Sequence, residues 1–245
     1  MIPFAKLLYA QKDECQEVDS LTTFLPYAIL YSVKAFEETF TSKELAFFSR
    51  LDSPAKIQAF LDKTPYSADK FYRCPRRVLR DRKAHCFDGA LFGAAALWRI
   101  GYPPLILDIL AERDDEHLLA LFKQNGHWGA VAKSNFVGLR FREPVYRTVR
   151  ELVMSYFEFY YNLQREKTLR GYIGPLNLKA FDRLDWMGND AAMEEIATHL
   201  DELRRVALVT PQMVAGLTPM DKRTFQAGMI GLNMAGVYKP PKKKR

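Results

Sequence analysis

Apolar residues recur at helical spacing in the first part of the chain. Ser53-Pro54 has the composition of a helix start, because serine is a good N-cap and proline suits the first helical position. The apolar residues that follow at helical spacing are Ile57, Phe60 and Leu61. The pattern predicts a helical N-terminal part over residues 1–74.

Residues 85–100 are apolar on nearly every side and crowded with glycine and alanine. A helix with this pattern is buried, and its small side chains let neighbouring elements approach closely. Gly101, followed by Pro103, is a strong stop signal. We therefore predict a buried helix that begins at Cys86.

Three short apolar runs follow this helix. Residues 105–110 have the composition of a strand, and residues 117–123 and 128–134 flank Asn125-Gly126, a strong signal for a two-residue hairpin turn. With that turn, His117 is expected to lie opposite Ser134 in the ladder. The runs predict three strands of a small antiparallel sheet.

Helical spacing returns after Pro144. Residues 145–163 carry aromatic side chains at that spacing, which is typical of core packing. Asp190 is expected to cap a helix that continues through Val206, and a short helix is expected near residues 219–230. These elements predict a helical C-terminal part over residues 141–236.

The predicted fold class is therefore α+β, with a single domain over residues 1–236. Its core, residues 75–140, is a small antiparallel β-sheet packed on the buried cysteine-bearing helix, with N- and C-terminal helical extensions. Residues 237–245 form a basic tail with little to bury, so we expect the tail to be disordered.

Composition and cysteine usage are those of an ordinary globular chain. Of its 245 residues, 48% are hydrophobic and 27% are charged. No apolar run approaches the roughly 20 residues of a membrane span, and the N-terminus lacks the order of a secretory signal. Three cysteines are an odd number at unrelated spacings: Cys15, Cys74 and Cys86. We expect reduced thiols in a cytoplasmic protein with no membrane partner and no cofactor; the sequence does not indicate an oligomeric state.

The net charge of +7 is concentrated in two places. One is the tail, and the other is a basic run before Cys86: Arg73, Arg76, Arg77, Arg80, Arg82 and Lys83. Either segment is explained as solvated surface. The alternatives are that the tail attracts nucleic acid or another acidic partner and that the basic run lines a cleft for an acidic substrate. No base-reading motif supports nucleic acid.

Cys86 is the first candidate for chemistry. The first turn of a helix has unpaired backbone N–H groups and a partial positive charge, which stabilise a thiolate and lower a thiol pKa. The backbone N–H of Cys86 itself could also bind the oxyanion of a tetrahedral intermediate. The alternative is that Cys86 is a small apolar residue of a buried helix.

His117 is the second candidate, because a histidine at the start of a strand is held firmly enough to act as the base for a thiol. The alternative is a strand-edge histidine bonded to the preceding acidic loop. Metal ligation by residues 114–117 is not favoured, since consecutive strand residues face opposite ways and no second histidine has helpful spacing.

These motifs, in this order, resemble the catalytic core of the transglutaminase-like superfamily of cysteine enzymes, which shares papain-like chemistry. The segments that carry the resemblance are 86–91, Gly101-Tyr102-Pro103, Asp115-Glu116-His117 and Gly126-His127-Trp128. They span about residues 75–140. The resemblance implies thioester chemistry at Cys86 on an amide-type acyl group.

The third residue of such a site departs from the family pattern. The usual position of the aspartate that orients the histidine corresponds to Ala132, which cannot do this. The nearby polar candidates are Asn135, whose amide oxygen can accept the imidazole N–H, and Ser134, which register favours. His85 is expected to face solvent or substrate. Trp128 is either a hairpin core residue or a shield and oxyanion donor.

The leading hypothesis is a transglutaminase-like cysteine hydrolase or acyltransferase that acts on a protein or peptide-like substrate. One alternative is a catalytically weak or inactive relative that serves as a protein-interaction module through the aromatic segment after Pro144. The other is a basic, nucleic-acid-associated protein that uses the basic run and the tail.

Overall fold

The computed structural model describes residues 34–239, and these residues form an α+β fold around one antiparallel sheet. The strands pair in the order β4-β3-β2-β1-β5-β6. Their bounds are Leu105–Ala111 (β1), His117–Gln124 (β2), His127–Val131 (β3), Arg142–Tyr146 (β4), Leu169–Asn177 (β5) and Arg205–Ala207 (β6). The six strands place β1 and β2 at the centre of the sheet.

Helices lie before, between and after the strands. After a helical stretch at residues 34–39, the α-helices are Ser42–Phe48 (α1), Pro54–Lys63 (α2), Pro75–Asp81 (α3), Cys86–Arg99 (α4), Val149–Met154 (α5), Ala191–Glu202 (α6), Pro211–Ala215 (α7) and Lys222–Gly228 (α8). Short 3₁₀ helices are Phe157–Phe159, Leu178–Leu184 and Met234–Gly236. Across residues 34–239, no helix combines the length and apolar character that a membrane crossing needs.

The two faces of the sheet bury separate cores. Along β2, Leu118, Ala120 and Phe122 belong to the first core, which also contains the apolar residues of α2, α3, α4 and α6. Leu119 and Leu121 belong to the second core, with residues of α5 and the segment after it. Because strand side chains alternate, residues of odd number on β2 face away from α4.

Helix α4 begins at Cys86 because His85 caps it. The His85 Nδ1 accepts the backbone N–H groups of Phe87 and Asp88, and the Asp88 carboxylate accepts the backbone N–H of His85, which completes a capping box. The twelve residues from Phe87 to Trp98 are all buried, as their pattern predicts. The sequence therefore fixes both the start of this helix and its burial.

Glycines allow α4 to lie directly on the sheet. A Cβ built on Gly93 would lie 3.0 Å from the Cβ of Ala120 on β2, and one built on Gly89 would overlap the Cβ of Lys133. Lys133 cannot easily withdraw, since its Nζ donates to the carbonyl oxygens of Leu61 and Thr64 at the end of α2. The predicted close approach to this helix is confirmed.

The predicted hairpin is confirmed, although β3 is shorter than expected. Its register runs from Gln124 opposite His127 to Ala120 opposite Val131, with Asn125-Gly126 as the turn. The ladder stops there because the buried amide of Gln58 takes both backbone groups of Ala132, at 2.9 Å each. Ser134 consequently lies beyond the strand and does not pair with His117.

The prediction of a helical C-terminal part is wrong in three places. Strands β4, β5 and β6 lie within residues 141–236, and β5 pairs along most of β1. The expected helix over residues 145–163 is reduced to α5 and one 3₁₀ turn. The aromatics Tyr156, Tyr160 and Tyr161 are buried as expected, whereas Phe159 is exposed. The helix from Asp190 ends at Glu202, and Val206 lies in β6. The short helix expected near residues 219–230 is α8.

The ends of the predicted layout fall partly outside the described residues. The first 33 residues of the expected helical N-terminal part, with Cys15, lie there, as do residues 240–245 of the expected disordered tail. Residues 237–239 of that tail are described: Val237 is buried, and Tyr238 and Lys239 line an open cleft together with Cys86.

Replacement of Gly89 by alanine tests the close packing of α4. We expect Gly89→Ala to lower the free energy of unfolding by roughly 1–3 kcal/mol, because the added methyl meets Lys133. Urea unfolding measures it. The matched control is Gly216→Ala, whose new Cβ would meet only carbonyl oxygens at 3.7 and 3.8 Å; we expect a change within about 1 kcal/mol. Equal effects of the two substitutions would contradict the packing described.

Candidate active site

Cys86 lies where β3 stops and leaves one side of β2 open. Its Sγ lies 3.7 Å from the carbonyl oxygen of Glu116, and the backbone N–H of Leu118 points at the sulfur. These two backbone groups belong to the residues that flank His117. The helix start, the end of the ladder and the beginning of β2 therefore meet at this thiol.

The resting thiol is not activated by its position. Burial, followed by the negative charge of Asp108, raises the pKa of Cys86 to about 12, and the Leu118 N–H only partly opposes this effect. Asp115 and Asp88 act in the same direction as Asp108. The lowering expected from the helix N-terminus is overridden, so the thiol is neutral at rest and needs a base before it can attack.

The imidazole of His117 lies on the opposite face of the sheet from α4. It has the parity of Leu119 on β2, and its Nε2 lies 2.7 Å from the carbonyl oxygen of Leu139, a residue of the second core. A carbonyl can only accept, so Nε2 carries the proton and Nδ1 is the basic nitrogen. Burial lowers the pKa of His117 to about 4, so the imidazole is neutral.

Cys86 and His117 nevertheless line one small cavity at the open end of β3. The cavity has a volume of about 30 Å³ and is also lined by Ser134, Leu139 and Tyr160. Such a volume is enough for a water molecule with polar partners. The two predicted residues thus line a common space, with the Cys86 thiol hydrogen bonded to the Glu116 carbonyl and the His117 ring to the Leu139 carbonyl.

Cys86 also faces a larger, open cleft on the α4 side of the sheet. This cleft has a volume of about 730 Å³. Its lining includes Tyr66, Tyr72, His85, Cys86, Asp108, Glu116 and Asp201, together with Val237, Tyr238 and Lys239 from the C-terminal segment. The cysteine therefore lies between a space large enough for a substrate and a small space shared with His117.

Neither polar candidate for the third residue takes that role. Asn135 holds the C-terminal segment: its Nδ2 donates to the carbonyl oxygens of Asn233 and Gly236, and its Oδ1 accepts the Asn233 N–H. The hydroxyl of Ser134 accepts the N–H of Phe136. The group that orients His117 is instead the backbone carbonyl of Leu139, which no side-chain pattern in the sequence marks.

Each of the two remaining predicted residues matches one of the alternatives expected for it: His85 lines the cleft, and Trp128 packs against the second core from the hairpin. His85 is the N-cap of α4, mostly buried at the cleft wall, and burial lowers its pKa to about 4. Trp128 pairs with Lys123 at the turn end of the hairpin. That position is six residues along β2 from His117, or about 20 Å, so Trp128 cannot serve Cys86 as shield or oxyanion donor.

The basic run before Cys86 is largely paired with acidic groups. Arg73 is buried and forms salt bridges with Asp69, Asp81 and Asp88, while Arg77 pairs with Asp81 and Asp190. Arg80 pairs with Glu44, Lys83 with Asp69, and Arg82 lies over the ring of Phe47. The expectation of a solvated run is confirmed for Arg80, Arg82 and Lys83, which are exposed, and is wrong for the buried Arg73. No residue of the run lines the open cleft, so the alternative of a cleft lining for an acidic substrate is wrong.

Acidification tests the burial of the neutral imidazole. The unfolded chain takes up a proton at His117 near pH 6.5, whereas the folded chain does so only near its lowered pKa of about 4. The free energy of unfolding therefore falls as the pH drops through this window, and His85 acts with the same sign. For His117 the loss is on the order of 3 kcal/mol.

We expect His117→Gln to show a shallower loss of stability with acidification than the unsubstituted protein. Urea unfolding at about pH 7 and at about pH 4.5 gives the two slopes. Since each slope is a difference within one protein, a general destabilisation by the substitution cancels. Identical slopes would show that His117 is not buried in its neutral form.

Comparison with known proteins adds no relative to this picture. No family model matches the chain, and no curated protein matches it. A function for the chain has to rest on the chemistry of its own residues.

Proposed function

We propose that the chain is a transglutaminase-like cysteine hydrolase or acyltransferase that acts on an amide or peptide-type acyl group through a thioester on Cys86. The observation that carries the proposal is the position of the thiol. Cys86 stands at the first residue of a buried helix, open to a cleft of about 730 Å³ on one side and to the cavity of His117 on the other.

The helix start supplies the groups that a covalent intermediate needs. The Leu118 N–H directed at the sulfur and the partial positive charge of the α4 N-terminus stabilise a thiolate once it forms. The amides of Phe87 and Asp88 are bonded to His85, and the Cys86 N–H is directed at the Tyr66 hydroxyl. An oxyanion formed at Cys86 would replace that hydroxyl as the acceptor of the Cys86 N–H. A tetrahedral intermediate at Cys86 thus has a donor beside it.

His117 supplies the base. Its Nε2–H is bonded to the Leu139 carbonyl, which fixes the tautomer that presents a basic Nδ1. General bases act either directly or through one water molecule. The shared cavity of about 30 Å³ has room for such a relay between Sγ and the imidazole.

The proposed reaction begins with acylation of Cys86. The Sγ proton passes to His117 Nδ1, the sulfur attacks the acyl carbon, and the carbon–nitrogen bond of the amide breaks. The imidazolium returns its proton to the leaving amine, and a thioester remains on Cys86. Water or an acceptor then attacks the thioester with His117 again taking the proton, and the carbon–sulfur bond breaks to restore the thiol.

Acylation by p-nitrophenyl acetate tests the nucleophile. We expect intact-protein mass spectrometry to show one added acetyl group, removable by hydroxylamine and located on Cys86 by peptide mapping. Cys86→Ala should abolish it. His117→Ala should slow acetylation by about 10²–10⁴-fold, because the neutral thiol loses its base; circular dichroism confirms that each variant is folded.

Cys74 provides a control of matched acidity. Burial raises the pKa of Cys74 to about 12, the same value as for Cys86. If thiol acidity alone set the rate of acetylation, Cys86 would react faster than Cys74 only because Cys74 is more deeply buried. Acetylation of Cys86 that is unaffected by His117→Ala would overturn the proposed base, and no acetylation at Cys86 would favour the interaction module instead.

A further inference from the structure

A single carboxylate lies in the middle of the apolar strand β1. Asp108 is flanked by Leu107 and Ile109, which face the second core, so its own side chain faces the side of α4. It is 4% exposed and lines the open cleft together with Cys86. The floor of the cleft therefore carries a buried acid beside the thiol.

This acid is incompletely satisfied. Within the described structure, the Asp108 Oδ1 has no hydrogen-bond partner. Burial, followed by the charge of Glu116 and a hydrogen bond between the two carboxyls, raises the pKa of Asp108 well above its ordinary value, while the positive charge of Arg205 on β6 opposes this effect from outside the cleft lining. The hydrogen bond to Glu116 leaves the Oδ1 without a donor, and a buried oxygen in that state is costly unless a ligand completes it.

The cleft around Asp108 is acidic at its floor and walls. Four of its carboxylates form no salt bridge within residues 34–239: Asp108, Asp115, Glu116 and Asp201. Two lysines with exposed side chains, Lys70 and Lys239, also line the cleft. Since the lysines are solvated and Asp108 is buried, the interior of the cleft is the acidic part.

We propose that Asp108, with Glu116, is a specificity subsite for a positively charged nitrogen group of the substrate, such as the ammonium of a lysine or the guanidinium of an arginine. This inference rests on the proposed function, because the subsite lies beside Cys86 in the same cleft. An N–H donor supplies what the Asp108 Oδ1 lacks, and the positive charge is attracted to the negative charge that the hydrogen-bonded pair of carboxyls carries. A cleft of about 730 Å³ accommodates the whole side chain.

Binding to the inactive variant tests the subsite separately from catalysis. In full-length Cys86→Ala we expect Nα-acetyl-lysine methylamide to bind about tenfold or more tightly than the neutral norleucine analogue, as measured by NMR titration. Adding Asp108→Asn or Glu116→Gln should reduce this preference to near unity. Glu202→Gln, the same charge change next to Asp201 but outside the cleft lining, should retain it.

A preference lost with Asp108→Asn and kept with Glu202→Gln supports the subsite, and the arginine analogue shows which nitrogen cation fits better. Equal binding of the lysine and norleucine compounds overturns the subsite, as does displacement of the lysine compound by submillimolar Mg²⁺, which would indicate a metal site. The binding experiment uses a variant without Cys86. Its result can therefore be interpreted even if the acylation experiment fails.

Discussion

The close packing of α4 against β2 and the end of β3 is the constraint on which the rest of the structure depends. Gly89 and Gly93 let the helix backbone approach Lys133 and Ala120. This close approach sets the distance between Cys86 and the sheet. Lys133 in turn closes the end of α2, so helix, sheet and capping lysine fix one another. A larger residue at Gly89 would displace the helix that carries the thiol.

The second determinant is the place where β3 stops. Because Gln58 takes the backbone groups of Ala132, the strand ends beside residues 116–118, and the sheet is open there. The opening lets a cysteine on one face and a histidine on the other line the same cavity. Burial keeps both groups neutral, so the resting site contains a neutral thiol and a neutral imidazole and not a preformed thiolate–imidazolium pair.

Local sequence patterns predicted α4 and the hairpin but not the strand pairing and the long-range hydrogen bonds that complete the sheet and the site. Asn125-Gly126 fixed the hairpin and its register, and the Ala/Gly-rich run fixed α4, because both depend on neighbouring residues. Strand β5 depends on pairing with β1, and its Gly171 and Pro175 weaken the strand pattern. The Leu139 carbonyl and the Gln58 bridge to Ala132 are long-range hydrogen bonds. The buried carboxyl of Asp108 had one sequence signal, a lone acidic residue in an apolar strand.

The pH dependence of alkylation of Cys86 by iodoacetamide tests the central claim, a neutral thiol assisted by His117. A thiol that reacts through its own ionisation at a pKa of about 12 gains nearly tenfold in rate per pH unit across the neutral range. Assistance by the neutral imidazole adds a route whose rate does not depend on pH above its pKa of about 4. We expect Cys86 to be alkylated faster in the unsubstituted protein than in His117→Ala at and below pH 7, with a difference that narrows as the pH rises and direct ionisation takes over. Equal rates in the two proteins at every pH would contradict assistance by His117.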